Sequence, residues 1–102
     1  MQAFDPKQPS EEYFLGFNFT ENFDDDEDIA SAAIVIIDTA DDSDVTATLS
    51  DVGNQVNNGK ISYVWIQGGT TGHKYKIICV VTGDAVPPSI FELDAYIKVR
   101  EI

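Results

Sequence analysis

Apolar and polar residues alternate along most of this chain. In "EYFLGFNFT", Tyr13, Leu15, Phe17 and Phe19 alternate with Phe14, Gly16, Asn18 and Thr20, which is the period of a strand with its more apolar face inward. In "SIFELDAYIKVRE", Phe91, Leu93, Ala95, Ile97 and Val99 fall on one side, and Glu92, Asp94, Tyr96, Lys98 and Arg100 on the other. A helix would scatter those charges around its axis, whereas a strand sorts them. "IASAAIVII" holds three alanines, which admit a helix, but the run from Ile34 to Ile37 suits a pleated surface better. "VTATL", with Val45, Ala47 and Leu49 on one face, reads as a further strand, as do "ISYVWIQ" and "KYKIICVVT".

Turn signals separate these runs. "ENFDDDED" and "DTADDSD" are too acidic to bury unpaired and read as exposed loops. "SDVGNQVNNGK" reads as a long connection that closes on the tight-turn dipeptide Asn58-Gly59. Pro87 and Pro88 in "GDAVPPS" have no place inside a ladder. Residues 1–11, with Pro6 and Pro9, read as a flexible extended arm ahead of one domain over residues 12–102. Six to seven short strands without a convincing helix predict an all-β fold, an immunoglobulin-like β-sandwich.

Charge narrows the partners. The net charge is −12, which disfavours nucleic acid and anionic membranes. Residues 1–59 hold 14 acids and one Lys, giving −13, whereas residues 60–102 hold four acids and five bases, giving +1. The negative field is therefore uneven, and such a field favours solubility and can steer a basic partner. Cys79 is the only cysteine, so no internal disulfide forms, and its apolar neighbours mark it as a buried small hydrophobe. "MQAFDPKQPSEEY" lacks the apolar segment of a secretion signal, and no apolar run approaches a membrane span.

The stretch "WIQGGTTGHKY" is the most suggestive for chemistry. His73 is the only histidine and has no catalytic or metal-ligating company, so it reads as a solvated turn residue. "GGTTG" lacks the spacing, the Lys and the following helix of a phosphate loop. Gly68, Gly69 and Gly72 instead shape a turn between strands, and Tyr75 stands where a tyrosine corner would place its hydroxyl against nearby backbone. Asp24, Asp25, Asp26 and Asp28 are the residues that would offer oxygens to Ca²⁺, but the spacing of an EF-hand is absent. The expectation is a solvated acidic loop, with no metal and no cofactor. If the late strands share one sheet, Tyr63, Trp65, Ile78, Val80 and Tyr96 form an outer apolar stripe, and Trp and Tyr are favoured anchors for a partner protein.

In order, "FDPKQPSEEYFLGFNF", "DEDIASAAIVI", "VWIQGGTTGHKYKIICVVTG" and "FELDAYIKVRE" resemble the small virion proteins of tailed phages and prophages known as fibre–tail adaptors. The most specific piece is Gly68 to Gly72 followed by Tyr75. "DTADDSD" and "SDVGNQVNNGK" are longer and more acidic than in that family, and "AVPPS" replaces its usual short turn. The resemblance implies a non-enzymatic tail component, fibre–tail or head–tail, with an immunoglobulin-like fold. It would be located in the virion and assembled in the bacterial cytoplasm. Its partners would be other virion proteins and further copies of itself. The alternative is a sandwich module that recognises carbohydrate or a cell surface, with Ca²⁺ in its acidic loops.

Overall fold

The structure, a computed structural model, describes residues 2–51 and 55–101. Among the described residues eight strands form two sheets: β1 (Gln2–Ala3), β2 (Tyr13–Asn18), β3 (Ile29–Asp38), β4 (Ser43–Asp44), β5 (Val56–Asn58), β6 (Ile61–Ile66), β7 (Lys74–Gly83) and β8 (Ile90–Lys98). A helical turn, α1 (Thr46–Leu49), follows β4. The larger sheet has the order β1-β8-β7-β3-β4 and the smaller β2-β6-β5. All pairings are antiparallel except β1 with β8. With β2 as B and β8 as G, the strands β8-β7-β3-β4 read GFCC′, with β1 added at the edge, and the smaller sheet reads BED, an arrangement compatible with the immunoglobulin-like class. The described residues hold eight strands rather than six to seven because β1, β4 and β5, the last within the expected connection 50–60, are only two or three residues long, too short to leave a periodic signal.

The core lies between the sheets and follows the alternation. Leu15, Phe17, Val64 and Ile66 point in from the smaller sheet, and Ile34, Ile36, Ile77, Cys79, Val81, Ala95 and Ile97 from the larger. Burial pushes the Cys79 thiol up to about 11, so it is protonated near neutrality and acts as packing.

Three expectations are revised. "VTATL" is a turn of helix, not a strand. Asp44 Oδ1 accepts from the Thr46 amide at 3.0 Å and its hydroxyl at 2.6 Å, an Asx turn that leads the chain into α1. Val45 and Leu49 stand four residues apart and face the core together in either conformation, so their spacing did not discriminate. The N-terminal segment is docked, not free. The Phe4 and Lys7 amides donate to Tyr96 and Lys98 carbonyls at 2.9 Å, and the Arg100 amide donates to Lys7 at 2.9 Å. Finally, the acidic loop after β2 is not wholly solvated. Glu27 is 4% exposed, and its carboxylate accepts from the Ser89 and Ala85 amides at 3.1 and 3.3 Å. Those bonds hold its pKa below the ordinary carboxylate value and tie this loop to the β7–β8 turn. Of the long connection expected over residues 50–60, residues 52–54 lie outside the described residues.

Candidate partner interface

The five residues expected to form one stripe lie on two opposite faces. Tyr63 and Trp65 are on β6, in the smaller sheet, whereas Ile78, Val80 and Tyr96 are on β7 and β8, in the larger. Alternation along a strand says which residues share its face, but it does not say which sheet the strand joins.

The outer face of the smaller sheet is the more apolar and aromatic of the two. Its register sets Phe14 opposite Trp65, Gly16 opposite Tyr63 and Val56 opposite Tyr63 on the other side. The Phe14 and Trp65 rings meet edge to face with centroids 5.0 Å apart, a favoured aromatic geometry. Trp65 Nε1 donates to Gln67 Oε1 at 3.1 Å, which fixes the indole. A Cβ on Gly16 would lie 3.3 Å from Tyr63 Cε1, so the tyrosine ring lies across the bare glycine. Phe14 is 43% exposed and Val56 49%, and both belong to this face. Large apolar residues grouped in this way, with Trp and Tyr among them, have the composition of a partner surface. Phe14 and Val56 were missed in the sequence because nothing in either strand showed that β6 would set them beside Tyr63 and Trp65.

The larger sheet's outer face is mixed. Ile78 and Val80 are flanked across the β7–β8 ladder by Asp94 and Glu92. Lys76 Nζ lies 3.7 Å from Asp94 Oδ2, and Lys74 Nζ stands 4.2 Å over the Tyr96 ring. The neighbouring Asp94 carboxylate, through a hydrogen bond and its charge, raises the Glu92 pKa.

The glycine stretch is a turn between β6 and β7, and it is tied to the last residues of the fold. Gly68, Gly69 and Gly72 have φ of 61°, 102° and 89°. The Gly72 amide donates to the Val99 carbonyl at 2.8 Å, and the Val99 amide to His73 at 3.0 Å. The Thr70 amide donates to Tyr75 Oη at 2.9 Å. Tyr75→Phe removes that acceptor and is expected to cost about 1 kcal/mol. Thermal unfolding checks this, and an unchanged midpoint would contradict it. His73 is not free in solvent, since its Nδ1 lies 2.7 Å from Oδ2 of the buried Asp38. Among the described residues no group of three or more His, Cys, Asp or Glu side chains is placed to hold a metal. Asp28, one of the acidic-loop candidates, has its Oδ1 2.8 Å from Lys60 Nζ. Asp24, Asp25 and Asp26 are exposed beside it.

The side chain that ties this region together is Lys7. It has no exposed surface, and its Nζ donates to the Gly68 and Gln8 carbonyls at 2.6 and 2.8 Å. A single lysine thus joins the N-terminal segment to the glycine turn.

The family model described as "Podophage GP4 fiber-tail adaptor protein gp77" matches residues 7–85, which run from Lys7 through β7. The chain belongs to this podophage fibre–tail adaptor family, and with it to the structural components of the phage virion. No curated protein matches it.

Proposed function

We propose that this chain is a non-enzymatic joint between a podophage tail and its fibre, and that it binds another virion protein through the aromatic face of the smaller sheet. The supporting observation is the contiguous set Phe14, Tyr63, Trp65 and Val56, carried on a short sheet whose inner face is locked into the core. A joint must transmit load without rearranging, and a face of this kind presents rigid rings rather than mobile loops. Tyr and Trp offer large contact area at small entropic cost.

Particles of the encoding phage test this reading. Particles lacking the chain are expected to form heads and tails but to lose their fibres in electron micrographs. Phe14→Glu/Val56→Glu should give the same defect; the purified variant loses the Phe14–Trp65 ring contact, worth about 1 kcal/mol, and its circular dichroism should show that the fold is kept. Fully fibred particles in either case would overturn the proposal.

A further inference from the structure

Six Lys and Arg residues stand against 18 acids in this chain, so most bases should find a carboxylate. Lys60 and Lys76 do so, at 2.8 and 3.7 Å, and Lys7 is enclosed by carbonyls. Lys74, Lys98 and Arg100 make no ion pair among the described residues. Moreover, Lys74 and Lys98 face each other directly across the β7–β8 ladder, where like charges oppose pairing.

These three residues border two adjoining clefts. The first, of about 250 Å³, is lined by His73, Lys74, Lys98 and Arg100 together with Gly72 and Val99. The second, of about 280 Å³, is lined by Ala3, Phe4, Pro6 and Tyr96 and shares Lys74 and Lys98 with the first. Among the described residues no carboxylate lines either cleft. The walls are held firmly. The Phe4 ring packs edge-on against the core residue Phe17 with centroids 5.4 Å apart, and Asp38 holds the His73 ring.

We propose that these clefts bind an acidic–apolar peptide segment of a partner protein. One carboxylate sits among Lys74, Lys98 and Arg100, and the neighbouring apolar side chain lies on Phe4, Pro6 and Tyr96. Charge-assisted bonds to Arg and Lys are the strong ones available to a carboxylate, and its arrival relieves the Lys74–Lys98 repulsion. A bare anion would leave the apolar cleft unused. A polyanion such as nucleic acid would meet the overall charge of −12. The adaptor reading enters only in making the partner another virion protein.

The test is a titration of the isotope-labelled full chain, followed by amide chemical shifts. The probe is the blocked peptide acetyl-Leu-Glu-Phe-Glu-amide, with its Gln-for-Glu counterpart and inorganic phosphate as controls. Saturable shifts are expected at Phe4, His73, Lys74, Lys98 and Arg100. The Gln peptide should bind at least tenfold more weakly, and added salt should weaken the Glu peptide. Lys74→Glu/Lys98→Glu and the milder Lys74→Ala/Lys98→Ala should both remove the shifts, with the fold verified by the remaining resonances. Absent or scattered shifts, equal binding of the Gln peptide, or unaffected binding by the variants would overturn the proposal. Equal shifts with phosphate would show an adventitious ion only, and would also overturn it. The outcome is independent of whether particles keep their fibres, so failure here is distinguishable from failure of the adaptor reading.

Discussion

Lys7→Ala is expected to lower the stability of the fold by about 3 kcal/mol, combining a lost charge-assisted donor, stranded carbonyls and a cavity. The residue has no exposed surface, so water does not stand ready to replace its ammonium at the Gly68 and Gln8 carbonyls. Lys7→Met keeps most of the stem volume and removes only the donor, so it should cost roughly half as much. The difference between the two variants isolates the cavity. Charge gives a second readout. Burial lowers the Lys7 pKa from its ordinary 10.5, a shift partly opposed by Glu11 and Glu12. Beneath 10.5 there is then a window in which the unfolded chain binds more protons than the folded one. In that window stability should rise with pH for the wild type, relative to Lys7→Met, and below it the difference should be flat. Urea unfolding of the three proteins over this range checks both statements. Hydrogen exchange should also show faster amides at Phe4, Lys7 and Arg100 in the variants, because the segment they fasten is held by few other bonds. A Lys7→Ala protein with the wild-type midpoint would mean that the buried ammonium stabilises nothing.

Lys7 also marks where the sequence stopped being readable. The strands β2, β3, β6, β7 and β8 could be read because each buries alternate residues in one shared core, and burial is what alternation records. Lysine is almost never fully buried, so an extended segment with two prolines and a lysine read as a free arm. The same prior hid Glu27 inside a run of acids. In both cases the deciding bonds come from backbone groups distant in sequence: Gly68 for Lys7, and Ser89 and Ala85 for Glu27. For the candidate interface, Tyr63 and Trp65 share one face of β6, as alternation requires, but alternation does not reach their neighbours on other strands. Phe14 and Val56 join them only through the register of β2 and β5 on β6, which no local pattern encodes. The resemblance to fibre–tail adaptors is carried by four segments, with "GGTTG" followed by Tyr75 the most specific; the family match over residues 7–85 contains that stretch and ends before the fourth segment, "FELDAYIKVRE".

Gly69→Ala should be as damaging as Lys7→Ala, for a different reason. Gly69 has φ +102°, a region that side chains rarely enter, and a Cβ there would lie 2.7 Å from Val99 Cγ2 and 3.3 Å from Cγ1. Val99 has little room to yield. It is 1% exposed, it is β-branched and stiff at χ1, and its amide and carbonyl are both engaged by the turn. Backbone strain and overpacking together should cost about 3 kcal/mol, which in a domain of this size lowers the melting temperature by roughly 12–24 °C. Gly72→Ala supplies the control, because Gly72 also has positive φ, +89°, but nothing lies within 4 Å of the added Cβ. It should bear the conformational cost alone, about 1 kcal/mol. Introduced into a Val99→Ala background, Gly69→Ala should fall to the Gly72→Ala value, since the methyl groups it meets are gone. Equal losses for Gly69→Ala and Gly72→Ala in the wild-type background would show that the turn shifts to accommodate the methyl. In that case the close approach of Gly69 to Val99 is not what fixes the end of the fold, nor what holds the walls of the basic cleft beside it.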